Sequence, residues 1–321
     1  MKIVKIQYRA HNGKQRSAWV VLPHWYGKRH HPKIPLIISP HGRGLSGRAN
    51  AKLWGSLPAR GRFAVVNPDG QGRRLPRHSW GYSGQIEDLA RMPRILRKKL
   101  PWLHVDHRRV FAFGGSMGGQ ESLLLLARKP RLLAGVAVFD AVTDFTAQYR
   151  RFPQLRCNRK CRRDLGEPLG RVIARQARYE IGGAPAKKPV AYARRSPLTY
   201  APEIARSCVP LQIWWSVADQ VVRDASSQSG ALFWRLRQLN KTMPVHAFVG
   251  NWIHTAVMKA KTRLPLALAN FGLLPGNPQG HGPALRELVP RAPWQCGWGA
   301  AEQPAPVAAP SAPGDEELIR P

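Results

Sequence analysis

Acidic residues are the scarce component of this chain: 18 Asp and Glu stand against 51 Lys and Arg, a formal net charge of +33. Five of those acids fall in the last stretch, at Glu287, Glu302, Asp315, Glu316 and Glu317, so the body of the chain is more basic than the total suggests. Long apolar runs are also missing. No stretch is long enough to span a bilayer, and the N-terminus has no secretory apolar segment, so a cytoplasmic protein is expected. Cysteine is limited to four residues. Cys157 and Cys161 lie close together on a basic segment without the second pair or the histidines that a structural zinc site needs, so no metal is expected. A local disulfide and a pair of reduced thiols both fit that spacing, reduced thiols being the default of a cytosolic chain. Cys208 and Cys296 show no relation to that pair. No internal repeat is present. What remains is ample for a core, since 43% of the 321 residues are hydrophobic.

The most informative segment is Gly114-Gly115-Ser116-Met117-Gly118-Gly119. It follows the apolar run Val110-Phe111-Ala112-Phe113 and precedes a Leu-rich helical stretch, so a G-x-S-x-G pattern sits where a strand turns into a helix. That is the nucleophile elbow of an α/β-hydrolase, which forces the serine Oγ to the top of the sheet. Glycines on either side let the strand and helix backbones pass without a Cβ clash.

Chain order in this fold is Ser, then acid, then His. Pro210–Val217 predicts a buried strand, and Asp219 lies just past its end. Val245–Gly250 predicts the last strand, and His254 follows in its loop. Asp219 would hold His254 in one tautomer, and His254 would take the proton of Ser116. Asp140 and Asp144, after the strand Gly135–Phe139, are competing acids. His246 is a competing base, although it falls within a strand pattern. For an oxyanion, one donor would be the Met117 N–H. The strand Ile34–Pro40 ends in His41-Gly42-Arg43-Gly44, an oxyanion-type loop whose Arg43 N–H would be the second. His41 reads as a brace for that loop.

Further motifs resemble a known family. Tyr179-Glu180-Ile181-Gly182-Gly183-Ala184-Pro185, Pro189-Val190-Ala191-Tyr192, Arg195–Ala201 and Asp219-Gln220-Val221-Val222 are similar to the catalytic domain of the prolyl oligopeptidase family and its esterase relatives. Phe63–Gly70 and Val105–Val110 fit the same pattern, and the likeness extends over roughly the whole segment from residue 1 to residue 270. The resemblance implies an α/β-hydrolase fold, a mostly parallel sheet flanked by helices, and a triad at Ser116, Asp219 and His254. Two departures stand out. Trp252-Ile253 replaces the glycine pair before the histidine, and the segment ahead of the oxyanion strand is too short for the propeller of the full-length peptidases.

The expected organisation is a catalytic domain over residues 1–274, a basic lid insertion over 148–195, and a Pro/Ala/Gly-rich, disordered tail over 275–321. The lid opens with Arg150–Arg163, which holds seven basic residues and no acid. The expected function is a cofactor-independent serine hydrolase that cleaves a carboxylic ester through an acyl-enzyme. An oligopeptidase acting on short peptides is the alternative. A nucleic-acid or polyanion binder on a hydrolase scaffold ranks below both, because the basic residues are dispersed and no binding motif accompanies them. Trp80 and Trp252 are candidates for an apolar substrate wall, with Trp54 beside them.

Overall fold

The structure is a computed structural model that describes residues 1–155, 168–223, 225–276 and 285–288. Among these residues one sheet has nine strands in the order β1-β2-β4-β3-β5-β6-β7-β8-β9. The strands are β1 (Lys2–Arg9), β2 (Gln15–Leu22), β3 (Ile34–Ile38), β4 (Ala64–Pro68), β5 (Val105–Gly115), β6 (Gly135–Phe139), β7 (Leu211–Ser216), β8 (Val245–Gly250) and β9 (Arg286–Glu287). Pairing is parallel from β4 through β3, β5, β6 and β7 to β8. It is antiparallel in the β1–β2 hairpin, which turns at Asn12-Gly13, and between β2 and β4. This is an α/β-hydrolase sheet.

Helices cover both faces of the parallel part of the sheet, so β3, β4, β6 and β7 are buried at every residue, and β5 from Val110 onward. Their side chains still alternate. Leu36, Ile38, Val136, Val138 and Ile213 pack with the helices Ser83–Lys99, Met117–Arg128, Ala201–Ser207 and Ser229–Leu239. Ile37, Ala137, Phe139 and Trp214 pack on the other face, with Leu57 and the helix Leu264–Ala269.

A parallel sheet gathers all its carboxyl ends on one edge, where open α/β sheets bind their ligands. Here that edge carries His41–Gly44 after β3, Ser116 after β5, Asp140 after β6, Asp219 after β7 and His254 after β8. Over it sits a third apolar cluster, in which Trp80 and Met117 meet Phe145, Phe152, Ile173 and Tyr192. The last four come from the insertion side, through the helices Phe145–Arg151, Leu169–Ile181 and Pro189–Ala193 and a short turn at Phe152–Gln154. Much of the basic run, with Cys157 and Cys161, lies outside the described residues.

Within the Pro/Ala/Gly-rich segment after residue 275, Arg286–Glu287 pairs antiparallel with Phe248 and Val249 of β8. Two residues are too few to register as a strand pattern. What holds them is the otherwise open ladder of β8, with Leu285 and Leu288 packing on opposite faces of the sheet. Residues 277–284 and 289–321 are outside the description. Cys208, at the left-handed end of the helix Ala201–Ser207, is disulfide-bonded. No helix among the described residues is long and apolar enough to cross a membrane.

Candidate active site

Ser116 stands at φ 56°, ψ −124°, between the end of β5 and the first turn of the helix Met117–Arg128. For a residue with a Cβ this is strained, and the surroundings over-determine it. The Ser116 N–H donates to Phe139 O at 2.9 Å, and Gln120 N–H donates to Ser116 O at 3.0 Å. The glycines are required by contact. A Cβ on Gly114 would lie 2.3 Å from Gly118 O, and one on Gly118 would lie 2.3 Å from Pro40 O. The elbow is thus pressed against the loop that follows β3.

In that loop His41 is buried and its ring is fully used. Nδ1–H donates to Gly42 O at 2.8 Å, and Nε2 accepts the Gly70 N–H at 2.7 Å. Burial lowers its pKa, so His41 is a neutral brace. Beyond it Gly44 N–H donates to Arg77 O and Leu45 N–H to Gly42 O. The Arg43 N–H has no partner among the described residues, and the Arg43 guanidinium donates to Gln176 Oε1 at 3.4 Å, reaching the helix Leu169–Ile181. At the start of the elbow helix the Met117 N–H is one of the first-turn donors that no intrahelical carbonyl can satisfy.

Asp219 and His254 come together. His254 Nδ1 donates to Asp219 Oδ2 at 2.7 Å, while Asp219 Oδ1 accepts from Val221 N–H at 2.7 Å and Val222 N–H at 3.1 Å. With Nδ1 engaged, Nε2 carries the free lone pair. Ser216 clamps the two loops: its Oγ accepts from Trp252 N–H and Ala218 N–H and donates to Trp252 O. The segment just past His254 lies on the elbow, since a Cβ on Gly115 would sit 3.0 Å from Thr255 Cγ2.

The competing residues have other partners. Asp144 is the N-cap of the helix Phe145–Arg151, accepting from Ala147 N–H at 2.9 Å. His246 faces Glu287 at 3.1 Å, inside β8. Asp140 is buried and accepts three N–H bonds, from Ser216 at 2.9 Å, from the Trp252 indole at 2.9 Å and from Thr255 at 2.7 Å. Burial, reinforced by the Asp219 charge, raises its pKa to about 6, against the pull of His254 and those donors. Asp140 therefore ties the His254 loop to β6 and β7. Among the described residues Asp140, Asp219 and His254 are the one trio whose ligand-type atoms lie within 4.8 Å of one another, and each is committed to the hydrogen bonds just described.

Of the tryptophans, Trp80 is buried at φ 48°, stacked on Phe145 with centroids 5.2 Å apart, and its N–H donates to Met117 Sδ. Its indole N–H has no hydrogen-bond partner among the described residues. Trp252 and Trp54 belong instead to the core on the far face of the sheet, Trp252 through its bond to Asp140 and Trp54 against Phe63 and Phe113. Sequence reading did not find the supports of Trp80. Arg195 Nη1 donates to Ser79 O at 2.7 Å, and Glu180 accepts the N–H groups of Arg73, Arg74 and Leu75 while lying 3.8 Å from Arg195. Glu121 accepts from Ser79 Oγ and from Gln85, and full burial raises it to about 8. In an acid-poor chain Glu180, a carboxylate between Tyr179 and Ile181, was itself the available signal.

No family model and no curated protein matches the sequence. The fold does match solved structures. A Pyrococcus horikoshii acylaminoacyl peptidase is 16% identical with a TM-score of 0.61, over 88% of this chain and 43% of that one. A Mycobacterium tuberculosis puromycin-hydrolyzing peptidase is 19% identical with a TM-score of 0.62, over 88% of this chain and 41% of that one. A variant of the esterase rPPE is 18% identical with a TM-score of 0.57, over 79% of this chain and 74% of that one. The chain spans less than half the length of the two peptidases. The class defined by sheet and elbow is therefore the α/β-hydrolase fold. Within it the chain's fold resembles the catalytic domains of these peptidases and esterases, as the sequence motifs implied.

Proposed function

We propose that the protein is a serine hydrolase that cleaves carboxylic esters, with Ser116 as nucleophile, His254 as general base and Asp219 as its orienting acid. The observation that carries this is the 2.7 Å bond from His254 Nδ1 to Asp219, which leaves Nε2 free on the loop that lies against the Ser116 elbow. Ser116 Oγ attacks the acyl carbon as His254 Nε2 takes its proton. The oxyanion is met by the N–H groups of Met117 and Arg43, at the positive end of the helix Met117–Arg128. His254 then passes the proton to the leaving alcohol, and the C–O bond breaks. Water repeats the sequence: it gives a proton to His254, attacks the acyl-enzyme and releases the acid, and Ser116 Oγ regains its hydrogen.

An oligopeptidase is the second reading, favoured by the fold match to the two peptidases. Esters are preferred on chemical grounds. A free peptide N-terminus needs an anionic partner, whereas among the described residues Asp140, Glu121, Glu180 and Asp219 around the site all accept hydrogen bonds from protein donors. The match to the esterase also extends over most of that chain. Trp80, beside Met117, would form part of the acyl wall. The Ser116→Ala variant should fold and lose turnover, and a fluorophosphonate should label native Ser116. Nitrophenyl esters of graded length run beside aminoacyl-nitroanilides decide between the readings; labelling of a different serine sinks both.

A further inference from the structure

The charge of +33 is spread over the whole chain, so charge by itself marks no site. One cavity of about 400 Å³ concentrates it. The cavity opens at the free edge of the sheet, between the end of β1, the start of β2 and the second half of the helix Ser83–Lys99. Arg9, Arg91, Arg94, Lys98 and Lys99 line it, and no carboxylate does. None of its lining residues belongs to the Ser116 site.

The nearby acid is already spent. Asp88 accepts from His11 N–H, from His11 Nδ1 and from Arg91 Nη1, which compensates Arg91 alone. Arg9, Arg94, Lys98 and Lys99 have no acidic partner among the described residues. Arg91, Arg94 and Lys98 are spaced three and four apart, so they share one helix face and repel one another. Lys98 and Lys99 gain something from the C-terminal helix dipole, which is the ordinary reason for cations in a last turn. That reason does not reach Arg9 on β1 or Arg94 in mid-helix, which converge on the same space from separate elements.

The remaining walls suit a small ligand. Tyr8 is 2% exposed and its hydroxyl has no hydrogen-bond partner among the described residues. Gln15 adds an amide, and Ile95 with the arginine stems adds apolar floor. The volume lies within the range of small-molecule sites, roughly 300–1,000 Å³. Guanidinium groups pair with phosphate oxygens in a fixed fork, and several uncompensated cations at close quarters call for linked anionic groups rather than one. We propose that this cavity binds a compact oligophosphate, of the kind carried by a nucleoside di- or triphosphate.

The test is calorimetric titration of the full chain with inorganic triphosphate and with ATP at about 0.15 M salt. Saturable one-to-one binding of either is expected. The Arg94→Ser/Lys98→Ser pair, both exposed, should weaken it at least about tenfold. Removing the same charge elsewhere, by Arg235→Ser/Lys241→Ser on the helix Ser229–Leu239 and the turn after it, should change it less than about twofold. Ester hydrolysis should be unaltered in both variants. Equal weakening by the two pairs would mean diffuse attraction and overturn the site, as would the absence of saturation. Duplex DNA binding more tightly than triphosphate would overturn the ligand class.

Discussion

Replacing Gly118 by alanine tests the oxyanion geometry without touching a group proposed to react. The added Cβ would lie 2.3 Å from Pro40 O, 2.9 Å from Pro40 C and 3.2 Å from His41 O. All three are backbone atoms, so no side chain can swing aside. His41 cannot yield easily either, because both ring nitrogens are committed to Gly42 and Gly70. The loop after β3 must therefore move from the elbow helix until the 2.3 Å contact exceeds 3.0 Å, carrying the Arg43 N–H away from the Met117 N–H. Overpacking of this kind costs about 1–3 kcal/mol of stability, a fall of several degrees in Tm. A shift approaching 1 Å at a reacting centre lowers rate by about a hundredfold, or about 2.7 kcal/mol of transition-state stabilisation. The loss should fall on kcat, because the donors act on the oxyanion more than on the ground-state ester. Melting curves and nitrophenyl ester kinetics measure the two effects separately, and fluorophosphonate labelling checks that Ser116 remains reactive. A Gly118→Ala variant with native Tm and native kcat would refute the close packing of elbow and loop.

Other outcomes follow from the same geometry. His254→Ala should lose on the order of 10³-fold or more in kcat and Asp219→Asn a similar order, whereas Asp140→Asn should lose much less and show its effect in Tm; the reverse ranking of the two aspartates by ester kinetics would move the acid to β6. Glu121 is raised to about 8, so it holds a proton more firmly folded than unfolded: its contribution is full below the ordinary glutamate range and is lost as pH rises towards about 8. Glu121→Gln should accordingly flatten the fall in Tm from about pH 5 to about pH 8, and an unchanged slope would contradict the penalty that burial places on its charged form. Raising salt from about 0.05 to about 0.5 M should raise KM for an anionic ester and leave a neutral one almost unmoved, because screening removes only the attraction of the basic surface. Equal responses of the two esters would leave the charge without a part in substrate capture.

The strands of the sheet were legible because burial on both faces demands continuous apolar runs: Gly135–Phe139 and Val245–Gly250 were read to the residue. The elbow was legible for a related reason, since two close backbone approaches leave glycine as the residue that fits at 114 and 118. Residues near the ends of elements that act by accepting backbone N–H bonds were harder. Ser216 and Glu180 stand in no repeating pattern, and their partners lie 36 and about a hundred residues away in the chain, at Trp252 and at Arg73–Leu75. Trp252 was hard to place because an aromatic beside a histidine reads the same whether it faces a ligand or the core; its indole bond to Asp140 is visible only in three dimensions. The short β9 depended on a distant edge strand to give it form.

Among the described residues the five buried carboxylates, Asp88, Glu121, Asp140, Glu180 and Asp219, divide the chain into two kinds of position for anyone who redesigns it. Each gathers donors from two or more separate segments, so its loss would release several pieces of backbone at once. A surface arginine, by contrast, is one of many. Tolerance to substitution should therefore be lopsided: a library that adds acids to the exterior could bring the protein towards neutrality with little harm, while one that removes acids would concentrate its inactive members at a handful of interior sites. Charge in this protein is plentiful where it is interchangeable and rare where it is architectural.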